Sequence, residues 1–311
     1  MITTDTTFVL GAGASIPYGF PSGADLLRLV VQSLSRPPQP SVSFVTYTRL
    51  RELGHSEEEI ETFQRALVHS GRSSVDAFLE HRTEFLEIGK RAIADVLIQY
   101  ENIDRLFSLD LKDSWYKYLF EQMNAPLGEF GVNTVRFVTF NYDRSLEAYL
   151  EEAIANAYGR SREEAAEQLQ AIEVLHLHGQ LGFLPTQGLP PEFTRPYRDD
   201  RTTEATDIAA RQIRVMHEDI DASTDEHFIK TRCMMREALR VFFLGFGFHP
   251  ENLDRLAVAG LDKGNPGLSG TRLGLTDTEA RLISTKTEER IQHHALKDCE
   301  IIPFFREYYP L

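Results

Sequence analysis

Two kinds of apolar pattern alternate along the chain. Short, nearly continuous apolar runs occur at 6–10 (TTFVL), 135–140 (VRFVTF), 173–179 (EVLHLHG), 240–248 (RVFFLGFGF) and 299–305 (CEIIPFF). Each reads as a buried β-strand, the run at 240–248 ending in a glycine turn. Between them lie longer stretches with helical spacing. Residues 22–34 form one, opened by Ser22 with Asp25 three residues on, a capping-box pattern. Residues 145–158 form another. From 46 to 125 the chain is mostly helical, and in 75–100 apolar residues at 75, 78, 79, 85, 86, 93, 96 and 97 make one helical stripe. The segment SRPPQP at 35–40 breaks the chain. Residues 185–215, rich in Pro, Arg, Asp and Thr, read as a long loop or lid followed by a helix.

Strands alternating with helices predict an α/β fold, Rossmann-like, with a mostly parallel sheet covered by helices on both faces. The expectation is a single domain over 1–311. Its core would be 1–34 plus 131–311, with a helical module inserted at about 35–130. Composition leaves this picture unchanged: 42% hydrophobic and 26% charged residues over 311 positions suit an ordinary globular chain. The net charge of −14 disfavours nucleic acid as a direct ligand. Two cysteines, Cys233 and Cys299, exclude a disulfide framework and a four-cysteine zinc site. The first residues lack a signal-peptide pattern, and no apolar stretch approaches the roughly 20 residues of a membrane span. The expected location is therefore the cytoplasm, with no membrane partner.

Candidate chemistry lies at the predicted carboxyl ends of the strands, where open α/β sheets bind ligands. Gly11-Ala12-Gly13-Ala14-Ser15 follows the first strand, and small residues with free amides there suit a pyrophosphate. Ile16 occupies the third glycine position of a dehydrogenase fingerprint, so hydride transfer is disfavoured. Thr139-Phe140-Asn141-Tyr142-Asp143 follows the second strand. Asn141 is a poor strand residue, whereas Asp143 or Ser145 also suits a helix cap. His178 precedes Gly179 at a strand end, the position of a site residue. His176, two residues earlier, sits deeper and reads as packing or supporting His178. No third ligand completes a metal site. Gly245-Phe246-Gly247 suits the ribose or adenine end of a nucleotide.

In this order the motifs resemble the sirtuin-like (silent information regulator-type) NAD-binding family, over residues 7 to about 305. The family's G-A-G-x-S turn, T-x-N-x-D element, His-Gly strand end and later glycine turn correspond to Gly11–Ser15, Thr139–Asp143, His178-Gly179 and Gly245–Gly247. The four-cysteine zinc module of deacetylating sirtuins is missing, and Phe140 stands where the family carries Gln. The sequence is more similar to the bacterial branch of anti-phage defence NAD+ hydrolases, whose members act beside a HerA-type ATPase, a short Argonaute protein or a fused sensor.

The resemblance implies cleavage of the nicotinamide–ribose bond of NAD+ to nicotinamide and ADP-ribose, with NAD+ as substrate and no metal. It implies Asn141 and His178 as catalytic residues. Binding would fall to Gly11, Ala12, Gly13, Ala14, Ser15, Thr139, Asp143, Gly245 and Gly247, with Asp143 on the carboxamide. Nicotinamide leaves as a neutral molecule, so no general acid is required. His178, at an ordinary pKa of about 6.5, would serve as base. Because a free NAD+ hydrolase is toxic, a homo-oligomer or a partner is expected to gate the site, with 46–125 as contact surface. Two other readings stand beside this one: a sirtuin-type deacylase or ADP-ribosyltransferase, and a non-catalytic NAD or ADP-ribose binding module.

Overall fold

The computed structural model describes residues 1–35, 45–215, 222–262 and 266–311. Most of the predicted break at 35–40 lies outside the described residues. Six strands form one parallel sheet: β1 (Thr6–Leu10), β2 (Val135–Thr139), β3 (Glu173–His176), β4 (Arg240–Leu244), β5 (Gly267–Thr271) and β6 (Leu296–Lys297), in the order β3-β2-β1-β4-β5-β6. The fold is α/β and Rossmann-like. The strand order reverses direction between β1 and β4, so the loops leaving them depart to opposite faces and open a crevice between them.

Strand residues alternate between two cores. Phe8, Leu10, Phe137, Phe242 and Leu244 point to one face, and Val9, Val138, Val241 and Phe243 to the other. Phe8 pairs in register with Phe137 and Phe242, and its ring lies 5.0 Å and 5.9 Å from theirs. Burying one such ring stabilises by about 1.5–3 kcal/mol.

Helices α1 (Gly23–Ser33), α2 (Val45–Glu52), α3 (Glu57–His69), α4 (Val75–Leu79), α5 (Leu86–Ile98), α6 (Ile103–Leu106) and α7 (Trp115–Gln122) fill the stretch between β1 and β2. Their apolar residues, among them Phe63, Ile93 and Trp115, join the core of Phe8 and Phe242. After β2 come α8 (Ser145–Tyr158) and α9 (Arg162–Leu169); after β3, α10 (Thr203–Gln212) and α11 (Glu226–Glu237); after β4, α12 (Pro250–Arg255); and α13 (Asp277–Lys286) and α14 (Ile301–Pro303) flank β6.

The Ser22 cap on α1 is present, in an altered form. Ser22 accepts the Asp25 amide at 3.1 Å, and its hydroxyl donates to the Asp25 carboxylate at 2.8 Å. Aspartate is one methylene shorter than the usual glutamate, so it engages the hydroxyl and not the Ser22 amide.

Two expectations are corrected, and one strand had no counterpart among them. The stripe at 75–100 is two helices, α4 and α5, parted by a short 3-10 turn at Thr83–Phe85. The bend seats Phe78 and Phe85 5.8 Å apart and both against Phe63, which one straight rod would not. The run 299–305 is helical, in α14 and the π-turn Phe304–Tyr308; the last strand is β6, just before it. A short apolar run suits a buried helix as well as a strand, and here Phe304 and Phe305 stack edge-on against Phe242. Finally, β5 has no apolar run to announce it. Its glycine-rich sequence answers a packing need: a Cβ on Gly270 would stand 2.6 Å from the Phe243 carbonyl oxygen.

Candidate active site

The turn after β1 and the turn after β4 meet back to back. Gly13 donates its amide to the Gly245 carbonyl at 3.0 Å, and Gly11 donates to Leu244 at 3.1 Å. A Cβ on Gly13 would lie 2.7 Å from the Gly245 Cα, and Gly245 itself has φ +56. Only glycine permits both the contact and the left-handed backbone. Phe248 also has φ +51 while buried, an uncommon conformation for a bulky residue, of the kind that clusters at ligand sites.

The expectation of free amides along 11–15 is corrected. Gly11, Gly13, Ala14 and Ser15 all spend their N–H groups on backbone carbonyls, leaving the Ala12 amide without a backbone acceptor among the described residues. The chain folds here as two 3-10 turns, Ala12–Ala14 and Ile16–Tyr18, and such turns consume their own donors. The turn acts as a glycine ridge rather than an amide cradle.

Two cavities flank this ridge, of about 430 and 450 Å3. Gly11, Ala12, Ser15, Asn141, Asp143, His178 and Gly247 line the first. Gly13, Gly245 and Gly247 line the second, with Thr271, Arg272 and Lys112. Thr139 and Ala14 line neither. Thr139 is buried and its hydroxyl accepts the Asn141 amide at 3.0 Å. Ala14 is buried and its carbonyl accepts the Trp115 indole N–H at 2.8 Å.

Asn141 is fixed from three sides. Its Nδ2 donates to the Gly11 carbonyl at 3.0 Å and to Ser15 Oγ at 3.1 Å, which ties the end of β2 to the turn after β1. His176 Nδ1 lies 3.0 Å from its carbonyl oxygen. Its Oδ1 receives no hydrogen bond from the described residues. His176 therefore supports Asn141, not His178 as expected, and its Nε2 lies 2.7 Å from Glu147 on α8.

His178 stands in the cavity wall between the rings of Phe140 and Tyr142, at 5.5 and 6.3 Å. Its Nε2 is buried without a hydrogen-bond partner among the described residues. Burial, aided by the charges of Arg255 and Arg214 against an opposing Asp76, lowers its pKa to about 4. The ring is thus neutral at neutral pH and a weaker base than its residue type suggests. Gly179 follows at φ +70, where a Cβ would strike the Gln212 carbonyl. That close approach lets Arg214 donate to the His178 carbonyl at 2.7 Å and brings the end of α10 behind the histidine.

No family model matches the chain. No curated protein matches it either.

Asp143 is buried, and burial raises its carboxyl above the usual range while hydrogen bonds from Ser145 and Ser15 oppose the rise. It accepts the Ser145 amide at 3.2 Å and the Ser145 hydroxyl, so it also sets the start of α8. The loop part of 185–215 does not cover the first cavity: no residue of that segment lines it. The buried carboxylate of Glu101 instead pins the loop, through Arg144 at 2.8 Å and Arg195. Charged side chains in search of a buried partner make a loop a strut.

The cavity walls that sequence reasoning missed come from α4 and α12. Asp76 accepts the Tyr142 hydroxyl, and Glu80 pairs with Arg255 at 3.0 Å, joining the two helices at the mouth. Burial raises the Glu80 carboxyl despite that arginine. The available signal was Ser74 as a helix cap, followed by acids at 76 and 80 on one face of α4. Only folding brings that face opposite His178.

Among the described residues, no three His, Cys, Asp or Glu side chains are grouped to hold a metal ion. No helix among them is long and apolar enough to cross a membrane.

Proposed function

We propose that this chain hydrolyses NAD+, taking water and releasing nicotinamide, ADP-ribose and a proton. One observation carries the reading: Asn141 Oδ1 and His178 Nε2, two groups without partners among the described residues, belong to residues lining one cavity that adjoins a second across the glycine ridge. Cavities of this size each suit one half of a dinucleotide. The nicotinamide half lies in the first, the adenosine half in the second, and the pyrophosphate crosses the ridge near the Ala12 amide.

The electrostatics favour this orientation. Asp76, Glu80, Asp143 and Glu251 line the first cavity against Arg255, whereas in the second Asp110, Asp113 and Glu300 stand against Lys112 and Arg272, so the first holds the larger acidic excess. Bound nicotinamide is cationic, and the sugar becomes oxocarbenium-like as the bond stretches. Fixed negative charge beside both stabilises the developing cation. Asn141 Oδ1 accepts from a ribose hydroxyl or from the attacking water. His178 accepts from that water at an imidazole nitrogen. A weak base suffices, because the carbon under attack is already strongly electrophilic and the proton leaves late.

On the resemblance, the chain is the NAD-depleting effector of a bacterial anti-phage system, cytoplasmic and gated by self-assembly or by a partner such as a HerA-type ATPase. The test is NAD+ consumption by the purified chain, with nicotinamide and ADP-ribose separated by chromatography and His178→Ala run beside it. Equal release of both products, lost in the variant, is expected. Turnover dependent on an acetyl-peptide would overturn the hydrolase reading in favour of deacylation. Binding without turnover, alone and with the partner, would leave a sensor module.

A further inference from the structure

We propose that Glu147 and His176 form a buried ion pair whose task is to lock Asn141, with the His176 ring protonated on both nitrogens. The proposal deepens the hydrolase reading and rests on it for its kinetic arm. His176 Nδ1 faces the Asn141 carbonyl oxygen at 3.0 Å, and a carbonyl only accepts, so Nδ1 carries a proton. Nε2 faces Glu147 Oε1 at 2.7 Å. A neutral ring with its proton on Nδ1 would set a bare nitrogen against a carboxylate. Two acceptors on opposite sides of one ring are both satisfied by the imidazolium.

The surroundings fit a retained charge. The His176 and Glu147 side chains are 4% and 11% exposed, so water screens the pair little. Burial alone would strip the proton; the charge and hydrogen bond of Glu147, the Asn141 carbonyl and the charge of Asp143 outweigh it. Glu147, Asp143 and Asn141 are the groups that set the state of this ring.

The consequence falls on Asn141. Its amide donates to Thr139, its carbonyl accepts from His176, and its Nδ2 donates to Gly11 and Ser15. Every polar group except Oδ1 is committed, so the atom left for substrate is held in one place before substrate arrives. Glu147 and His176 touch no substrate and are positioning residues. Such support is worth most when the aim of a reacting group matters, since a shift of about 1 Å costs on the order of a hundredfold in rate.

The experiment has two arms, so that its failure is distinct from failure of the hydrolase reading. In the first, 15N spectra of the His176 ring are recorded at neutral pH without nucleotide, in wild type and in Glu147→Gln. Both ring nitrogens protonated in wild type, and one in the variant, is expected. A neutral wild-type ring overturns the proposal whatever the enzyme does. In the second, Glu147→Gln and Glu147→Leu are assayed with NAD+. The expectation is a kcat lower by about ten- to a hundredfold with KM little changed, milder in the glutamine variant, which still bonds a neutral ring. Wild-type kcat in a folded Glu147→Leu protein overturns the positioning role. If wild type itself proves inactive, slow hydrogen exchange of the Asn141 side-chain amide, lost in Glu147→Leu, reads the same lock; equal exchange overturns it.

Discussion

Asn141 Nδ2 lies 3.0 Å from the carbonyl oxygen of Gly11, across 130 residues of sequence. The bond joins the ends of the neighbouring strands β1 and β2 and makes Asn141 a structural tie as well as a candidate site residue. Asn141→Ala is therefore expected to cost about 1–3 kcal/mol besides abolishing NAD+ cleavage. Asn141→Asp is expected to cost more, because a carboxylate oxygen would then face the Gly11 carbonyl. Urea denaturation of the three proteins checks the order. An aspartate variant as stable as wild type would contradict this geometry.

The two glycines of the turn after β4 are predicted to behave differently. A Cβ on Gly245 would stand 2.1 Å from the Ala14 amide nitrogen on a left-handed backbone, whereas one on Gly247 meets nothing within 4 Å. Gly245→Ala should lose more than about 2 kcal/mol of stability. Gly247→Ala should fold as wild type and bind NAD+ more weakly, since both cavities open on that residue. Thermal melts with and without NAD+ separate the two effects.

The pH dependence should betray the burial of His178. With a folded pKa of about 4 against about 6.5 unfolded, the native state binds fewer protons than the unfolded chain between those values. Stability is fully present above pH 6.5 and falls by about 3 kcal/mol as pH drops toward 4. His178→Gln should flatten that slope. For the same reason NAD+ cleavage should pass through pH 6–7 without an inflection from His178. His176, raised, acts in the opposite sense, its contribution being lost as pH rises through its folded pKa. An acid limb in kcat/KM centred near 6.5 would argue against a buried, neutral His178.

Trp115 is the chain's one tryptophan, fully buried and bonded at 2.8 Å to the Ala14 carbonyl of the ridge. Trp115→Phe keeps an aromatic ring, removes the bond and leaves a void where the pyrrole ring lay, at a cost of at least about 1–3 kcal/mol. In wild type its emission should be that of a dry indole and should respond to NAD+ titration. Indifference of the emission to saturating NAD+ would speak against a nucleotide on the ridge.

The Glu101 carboxylate sits wholly buried between Arg144 and Arg195. Glu101→Gln leaves two buried guanidinium groups without their counter-charge and should destabilise by about 3–5 kcal/mol. Limited proteolysis should then cut first within 181–198, the segment whose carbonyls these arginines hold.

What local sequence settles is whatever depends on neighbours along the chain. The bounds of β1, the cap on Ser22, the parallel sheet and the strand-end positions of Gly11, Asn141 and His178 all follow from apolar runs, glycines and caps. The sequence by itself did not determine which groups would meet. β5 escaped because Gly270 answers to Phe243 on another strand, and 299–305 misled because a short apolar run does not reveal its own conformation. The partners of His176, the depressed pKa of His178 and the wall formed by Asp76, Glu80 and Arg255 were decided by tertiary structure. Desolvation and charge act through space, and residues 76, 178 and 255 become neighbours only when the helices between β1 and β2 close over the end of the sheet.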